Sequence, residues 1–201
     1  VGKARVFNSE MDLLDTLENN PDVFENHDMV IMRYEGPSGA PGMPEMLDST
    51  SRITTLCREK GITVGLMTDS RFSGGSVGLV IGHVGPEAAL GGPIAFVEDG
   101  DEITADLNIN ELNCTALKDP ATLKARKAAW DKVVADNGGT HPAIGKADTR
   151  LLNRMRRSAV SAVYGAGMHP DRELWVPEPR DPVKTGFVPS NKYREGSGKA
   201  F

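Results

Sequence analysis

Two glycine-rich loops, each placed directly after a short apolar run, constrain the fold of this chain more than any other feature. Loop 1 (GPSGAPGMPE, residues 36–45) follows the run at 29–32, and loop 2 (TDSRFSGGS, residues 68–76) follows the run at 64–67. Short apolar runs bounded by turn residues are typical of buried β-strands. Glycine permits positive φ and close backbone approach, so loops of this composition wrap a small ligand more often than they fill a core. The sequence therefore predicts a site formed by two loops at strand ends.

The rest of the chain alternates short apolar runs with turn residues and with longer amphipathic segments. The predicted strands span residues 3–7, 28–34, 62–68, 79–83, 93–97 and 102–107. One predicted helix begins after Ser9, and the others span residues 46–58, 120–136 and 148–164. This pattern indicates an α+β fold with a mainly β core, in which a small mixed sheet or barrel carries loops at one end and helices on its flanks.

Charge and hydropathy argue against two classes of partner. The 201 residues carry a formal net charge of −5 and no long Lys/Arg run, which argues against a nucleic-acid surface. The densest basic cluster has Leu and Met between its members, so we interpret it as a solvated or packing helix face rather than a phosphate-binding stripe. Its members are Arg150, Arg154, Arg156 and Arg157. The sequence contains no signal peptide and no 18-residue apolar run, so we expect no membrane partner and a cytoplasmic location.

The two cysteines indicate neither a metal centre nor a disulfide framework. Cys57 and Cys114 are far apart in the sequence and lack the CxxC spacing. Zinc sites and iron–sulfur clusters need three or four ligands, so these two residues cannot hold either group unaided. We interpret Cys57 as a buried structural thiol on a helix, in a reducing compartment.

Each loop contains one chemically useful side chain, and the residue pattern alone leaves its role open. Glu45 can bind a hard divalent cation, act as an acid or base, or simply complement the dipole of the helix that follows. Ser73 opens a Ser-Gly-Gly turn whose N–H groups can form an anion-binding nest. Serine needs strong activation to act as a nucleophile or base, so the turn alone favours a structural role. We expect Asp69 and Arg71 to pair and to fix loop 2.

The histidines are weaker candidates for a site. His83 follows an apolar run, and a lone histidine in that position favours a satisfied structural role. His169 follows a predicted helix C-terminus, where it either faces a ligand or caps the helix. His27 and His141 are predicted loop residues.

Six motifs occur in order between residues 33 and 101. They are RYEGP (33–37), PGMPEM (41–46), TDSRFSGG (68–75), HVGPEA (83–88), GGPIA (91–95) and EDGD (98–101). Together they resemble the C-terminal domain of the dihydroxy-acid dehydratase and phosphogluconate dehydratase family. Two later segments, GGTHP (138–142) and MHPDRELW (168–175), are more similar to the sugar-acid branch of that family, of the xylonate dehydratase kind.

The resemblance implies a fold and a reaction. The fold is a β-barrel-like swivelling β/β/α domain, similar to the C-terminal domain of aconitases, that closes over a cluster-bearing N-terminal domain. The reaction is dehydration of a sugar acid such as xylonate, a 2,3-dihydroxy acid, to a 2-keto-3-deoxy acid. An iron–sulfur cluster, [2Fe–2S] or [4Fe–4S], acts as Lewis acid on the 3-hydroxyl, and Mg²⁺ holds the carboxylate and 2-hydroxyl. The implied assembly is a homodimer or homotetramer.

The resemblance also implies roles for residues of both loops. Ser73 matches the proposed base, an alkoxide that removes the C2 proton, and Glu45 matches a Mg²⁺ ligand. Ser70 stands where the family usually has glycine, so we expect a slightly reshaped loop 2 or an added polar contact. Substrate binding is assigned to Gly74, Gly75, Ser76 and His169.

We expect residues 1–139 to form the swivelling domain. Residues 140–201 then form a C-terminal helix and an extended tail that packs on this domain or on the N-terminal one. The chain begins at Val1 without an initiator Met and has no cysteines at cluster positions, so we expect a piece of a longer polypeptide that is inactive alone. The alternative hypothesis is a non-catalytic barrel module that binds an anionic metabolite.

Overall fold

A curled six-stranded sheet forms the centre of a mixed α/β half-barrel flanked by helices. The structure is a computed structural model that describes residues 1–144 and 149–168. Four strands are mutually parallel and lie in the order β4-β3-β2-β1, and β5 and β6 extend the sheet beyond β1 in antiparallel pairing. The strands are β1 (Gly2–Phe7), β2 (Met29–Met32), β3 (Gly65–Thr68), β4 (Val80–Ile81), β5 (Glu102–Asp106) and β6 (Glu111–Cys114).

Four α-helices flank the sheet, and local sequence signals set their ends. They are α1 (Glu10–Asn19), α2 (Leu47–Lys60), α3 (Pro120–Asp136) and α4 (Arg150–Ser158). The Ser9 hydroxyl accepts the N–H of Asp12 at the start of α1, and the Asp119 carboxylate caps α3. Gly61 ends α2 in the left-handed conformation with φ 66°, which costs glycine nothing because it has no Cβ. The starts of α1 and α3 agree with the predicted starts, and α2 ends two residues after the predicted end at residue 58.

Both faces of the central strand β2 are buried, which divides the core into two clusters. Met29 and Ile31 belong to one cluster, together with residues of the segment after β4 and of β5. Val30 and Met32 belong to the other, against α1 and α2. A strand covered on both sides needs a continuous apolar run, as found in parallel sheets. The same burial holds the ends of β2 and β3 rigidly, and loops 1 and 2 leave from those ends.

The predicted strand at residues 93–97 is wrong, because the segment forms the 3-10 helix Pro93–Phe96. Pro93 has no N–H to give to a strand ladder. The guanidinium of Arg33 donates hydrogen bonds to the carbonyl oxygens of Ile94, Ala95 and Val97. These carbonyls are therefore satisfied by a side chain instead of a neighbouring strand.

Two further differences concern polar or short segments. The sequence analysis did not predict β6, since Glu111–Cys114 has only one large apolar residue and pairs as an edge strand with β5. The predicted helix at 148–164 is also too long, because α4 ends at Ser158 and the chain continues in extended conformation to the 3-10 helix Ala162–Tyr164.

The general fold prediction, an α+β fold in which a small mixed sheet or barrel carries flanking helices, is confirmed, and the sheet is a curled half-barrel. The division into residues 1–139 and 140–201 stays a prediction, and the proposed tail at 177–201 lies outside the described residues. Within the described parts of the chain, no helix is both long and apolar enough to cross a membrane.

Replacement of Leu13 by alanine tests the core on the α1 side of the sheet. Leu13 is fully buried, and it is the only buried residue of α1. Removing its side chain leaves a cavity between α1 and the sheet, so the free energy of unfolding should fall by about 2 to 5 kcal/mol in urea titrations. Met11→Ala is the matched control, because Met11 lies on the same helix with 70% of its surface exposed. Equal losses in the two variants would contradict this arrangement.

Candidate functional site

Loops 1 and 2 leave the same edge of the sheet. Strands β2 and β3 are parallel neighbours, and their register places Met32 opposite Thr68. Loop 1 follows β2 and loop 2 begins at the last residue of β3, so the two loops start side by side at the carboxyl ends of the strands. Ligands of open α/β sheets bind in this position. The structure therefore brings together the two segments that the sequence predicted to form a site.

The buried carboxylate of Asp69 joins three segments at this edge. Its Oδ2 atom accepts the backbone N–H groups of Tyr34, at 3.0 Å, and Ala88, also at 3.0 Å, and its Oδ1 atom accepts that of Glu35 at 3.1 Å. Burial raises the pKa of Asp69 to about 6. The predicted pairing of Asp69 with Arg71 is wrong, because backbone donors satisfy the Asp69 carboxylate.

A second set of contacts joins the far end of loop 1 to loop 2. Glu45 and Arg71 form an isolated parallel β-bridge, and the Arg71 guanidinium lies 3.6 Å from the Glu45 carboxylate. The Nε atom of Arg71 also donates to the carbonyl oxygen of Met43 at 2.7 Å. The Ser70 hydroxyl donates to the carbonyl oxygen of Pro44 at 3.2 Å, which is the added polar contact expected from serine at this position. Glu45 is thus held beside the loop that contains the predicted base.

Ser73 lies in a tight turn at the tip of loop 2. Its side chain is half-buried, and its Oγ atom accepts the N–H of Gly75 at 3.4 Å. The carbonyl oxygen of Ser73 accepts the N–H of Ser76 at 3.1 Å. The Oγ atom of Ser76 is buried and has no hydrogen-bond partner in the described part of the chain. Gly74 and Gly75 are exposed, so this turn offers a hydroxyl and backbone groups to a molecule that approaches from outside.

The described residues can supply one ligand of a magnesium ion and cannot supply an iron–sulfur cluster. Glu45 has a half-exposed carboxylate, the ligand type that Mg²⁺ prefers. Residues 1–144 and 149–168 contain no group of three or more His, Cys, Asp or Glu side chains that could hold a metal ion. Cys57 packs against the α2 side of the core and Cys114 against the other side, so they cannot share a cluster.

An aromatic stack supports the start of loop 1. The ring of Tyr34 stacks on His141 with centroids 4.4 Å apart, and the indole N–H of Trp130 donates to the Tyr34 hydroxyl at 3.1 Å. Burial and the neighbouring Arg33 charge lower the pKa of His141. The sequence analysis assigned no role to Tyr34 or Trp130, although the RYEGP motif contains Tyr34 and the GGTHP motif contains His141.

Three non-glycine residues around the loops have left-handed backbone conformations. They are Tyr34 (φ 69°), Met43 (φ 47°) and His83 (φ 55°). Such residues are uncommon and cluster at ligand sites, where surrounding contacts maintain the strain. The prediction that the His83 side chain is structural is wrong, since the side chain is exposed while its backbone N–H donates to Ser70. His169 lies outside the described residues.

A largely apolar cavity of about 410 Å³ lies elsewhere, between the segment after β4 and strand β6. Its walls include Met67, Ile81, Ile94 and Leu112, and neither Glu45 nor Ser73 contributes to them. The predicted catalytic side chains therefore lie on an open surface of the loops and not inside this cavity.

Comparison with known proteins identifies one family over most of the chain. Residues 1–166 match the family described as dihydroxy-acid/6-phosphogluconate dehydratase C-terminal. Both loops and the three donors to Asp69 lie within the matched residues.

Curated relatives show the same similarity. The chain is 41% identical over 165 residues to the mitochondrial dihydroxy-acid dehydratase ilvC of Aspergillus fumigatus, which covers 82% of this chain and 26% of that protein. It is 48% identical over 134 residues to the dihydroxy-acid dehydratase of Arthrobacter sp., which covers 67% of this chain and 22% of the relative. It is 50% identical over 131 residues to the dihydroxy-acid dehydratase of Chromohalobacter salexigens, and the alignment covers 65% of this chain and 22% of that relative. The chain thus spans about a quarter of the length of these relatives.

The titration of Asp69 should make stability depend on pH. Because its folded-state pKa of about 6 lies above the ordinary 3.8, the folded protein keeps a proton between these values that the unfolded chain has released. The resulting stabilisation is complete below about pH 4 and is lost as the pH rises through about 6, by about 1 to 3 kcal/mol. Urea titrations across this range should show that decline in the wild type and not in Asp69→Asn. Parallel pH profiles of the two proteins would contradict the assignment.

Proposed function

This chain belongs to the dihydroxy-acid/6-phosphogluconate dehydratase C-terminal family, and we propose that it is the C-terminal domain of a hydro-lyase. The proposed enzyme removes water from a 2,3-dihydroxy acid and yields a 2-keto acid. The observation that carries this proposal is the family match over residues 1–166, which includes both loops. In the structure, Glu45 of loop 1 contacts Arg71 of loop 2, the loop that contains Ser73. Because the chain spans about a quarter of its relatives, the activity belongs to a longer polypeptide and this chain alone is inactive.

Loop 2 supplies the proton acceptor in this proposal. Dehydration requires removal of the proton from C2 and departure of the hydroxyl group from C3, which leaves an enol that tautomerises to the ketone. Ser73 takes the C2 proton as an alkoxide. The N–H of Gly75, which already donates to its Oγ atom, stabilises the negative charge. Gly74, Gly75 and Ser76 bind substrate oxygens, and the exposed positions of Gly74 and Gly75 support this role.

Loop 1 supplies a metal ligand. Glu45 contributes one carboxylate to Mg²⁺, and its half-exposed position allows ligands from another domain to complete the shell. When bound, the ion and an iron–sulfur cluster provide Lewis acidity toward the substrate carboxylate and the leaving hydroxyl. In this proposal the cluster cysteines and the remaining magnesium ligands belong to an N-terminal cluster-bearing domain, and the polypeptide forms a homodimer or homotetramer.

We propose a sugar acid such as xylonate as the substrate. The support is the GGTHP motif at residues 138–142, which is similar to the sugar-acid branch. Its His141 stacks on Tyr34 at the entrance to loop 1. A residue in that position supports the backbone at which loop 1 begins. His169, proposed as a further substrate-binding residue, belongs to the second motif of that branch.

Alanine at position 73 tests the proposed base. The activity is measured in a chimera of the Arthrobacter dehydratase in which this chain replaces the matched C-terminal segment. Ser73→Ala removes the hydroxyl, so kcat should fall by at least about 10³-fold while the fold is retained. Ser51→Ala on the exposed face of α2 is the matched control. Near-normal turnover of the Ser73 variant would refute the base assignment.

Glutamine at position 45 tests the metal ligand in the same chimera. Loss of one charged ligand should raise the Mg²⁺ concentration for half-maximal activity by about tenfold or more. Asp48→Asn is the control, because Asp48 is an exposed acid of the neighbouring helix turn whose contact is Arg52. An unchanged magnesium dependence in Glu45→Gln would exclude Glu45 from the metal site.

A comparison of two substrates tests the sugar-acid proposal. The chimera should convert xylonate with a higher kcat/KM than a 2,3-dihydroxy acid with a branched aliphatic chain, and the parental Arthrobacter enzyme should serve as reference. A preference for the branched acid would reject the sugar-acid assignment and leave the dehydratase proposal intact. The alternative hypothesis is a non-catalytic module that binds an anionic metabolite. It would replace the dehydratase proposal if calorimetry showed that the isolated chain binds a sugar acid without Mg²⁺ while the chimera stayed inactive.

A further inference from the structure

The segment at residues 159–168, which we call the strap, crosses loop 1 after α4. Ala159, Val160 and Ser161 at its start are buried. The strap closes on itself through an antiparallel bridge between Ala159 and Met168. Its later apolar side chains are largely exposed, with 48% of Val163 and 54% of Met168 accessible, and no residue of the preceding α4 is buried. Burial is therefore greatest at the start of this segment, and beyond it Val163 packs so closely on Gly85 that a Cβ there would lie 2.5 Å from the Val163 Cγ2 atom.

Polar contacts attach the strap to the loops. The Ser38 hydroxyl of loop 1 donates to the carbonyl oxygen of Ala159 at 3.3 Å. Further along, the backbone N–H of Ala162 donates to the Oε1 atom of Glu87. Glu87 is fully buried, so water does not compete for this hydrogen bond, and a carboxylate accepts more strongly than a neutral oxygen.

Glu87 and the next residue, Ala88, contact loop 1 and loop 2, respectively. Its side chain packs against Gly36 of loop 1 so closely that a Cβ on Gly36 would lie 2.7 Å from the Glu87 Cγ atom. The next residue, Ala88, donates its N–H to the Asp69 carboxylate of loop 2. A continuous path of contacts thus runs from loop 2 through Asp69, Ala88 and Glu87 to the strap.

We infer that Glu87 is a positioning residue that fixes the strap against loop 1. The benefit of this positioning for substrate binding rests on the proposed function, because the strap leads directly in sequence to His169. The proposed function assigns His169 to substrate binding. The attachment itself does not depend on that function. Glu87 contributes to it through the hydrogen bond from the N–H of Ala162, in addition to the Ser38 contact and the buried start of the strap.

Two substitutions at Glu87 separate its role as an acceptor from its role in packing. Glu87→Ala removes the acceptor, whereas Glu87→Gln keeps a carbonyl oxygen of similar position. The Oε2 atom of Glu87 has no hydrogen-bond partner within the described residues, so replacing it by an amide group sacrifices no hydrogen bond there. Glutamine should therefore rescue the attachment.

Hydrogen exchange on the 201-residue chain measures the attachment directly. In Glu87→Ala, amide exchange across residues 160–166 should accelerate about tenfold or more, with β1 to β3 unchanged, and Glu87→Gln should restore protection to within about threefold of the wild type. Asp119→Ala is the control, since it removes a carboxylate that also accepts backbone N–H groups, at the start of α3. Unchanged strap exchange in Glu87→Ala, or equal acceleration in Glu87→Gln, would overturn the inference.

Ala162→Pro keeps the test decisive if Glu87→Ala does not fold. It removes the donor N–H without altering the core. Ala162 is the first residue of a 3-10 helix, and the preceding Ser161 has φ −51° and ψ 146°, a conformation that suits a residue before proline. Residues 163–166 should again exchange about tenfold faster. Wild-type protection in this variant would also overturn the inference.

Kinetics of the chimera test whether the attachment of the strap also affects substrate binding. If the strap positions a substrate-binding residue, Glu87→Ala should raise KM more than it lowers kcat, and Glu87→Gln should restore KM. A wild-type KM combined with faster strap exchange would refute the positioning role. If every version of the chimera lacked activity, the proposed function would fail while the exchange result still decided the attachment.

Discussion

The carboxylate of Asp69 is the contact on which the geometry of the site depends. It accepts three backbone N–H groups from two separate segments, those of Tyr34 and Glu35 after β2 and that of Ala88 after β4. Tyr34 and Glu35 lie outside the strands and helices, and Ala88 is the first residue of the 3-10 helix Ala88–Leu90, where an N–H has no partner within the helix. Each of these donors would be costly to leave unpaired. One side chain therefore replaces the backbone hydrogen bonds that irregular loops lack, and it brings loop 1, loop 2 and the Glu87 segment to one point.

The loops joined in this way form an open surface and not an enclosed pocket. Arg71 and Ser70 connect loop 2 to the far end of loop 1, so Glu45 and Ser73 belong to one supported structure. The carboxylate of Glu45, proposed as a metal ligand, and the hydroxyl of Ser73 nevertheless remain partly exposed. The chain spans about a quarter of the length of these relatives. Loops held in place by such contacts suit the proposed site, in which ligands from a second domain complete the shell around Glu45.

Long-range polar contacts hold the rest of the molecule around this wall. Arg33 binds the carbonyl oxygens of the 3-10 helix Pro93–Phe96 on one side of β2. Arg126 forms a paired contact with Asp101 that attaches α3 to the turn before β5. Tyr34 and His141 then connect this layer to loop 1. The supports of the site thus come from four regions that are up to about a hundred residues apart.

The sequence by itself determined strands β1 to β5, the N-cap of α1 and the two loops, because apolar runs, N-cap residues and glycines act through local physics. It also identified the family, and with it Glu45 and Ser73 as candidates. Only the tertiary structure decided that residues 93–97 are helical and that Asp69 accepts backbone donors instead of Arg71. Both outcomes depend on hydrogen bonds between residues 19 to 64 positions apart, and such pairings leave no periodic signal in a single sequence. The roles of Arg33, Tyr34 and Glu87 were hidden for the same physical reason, since each is set by partners that folding alone brings within reach.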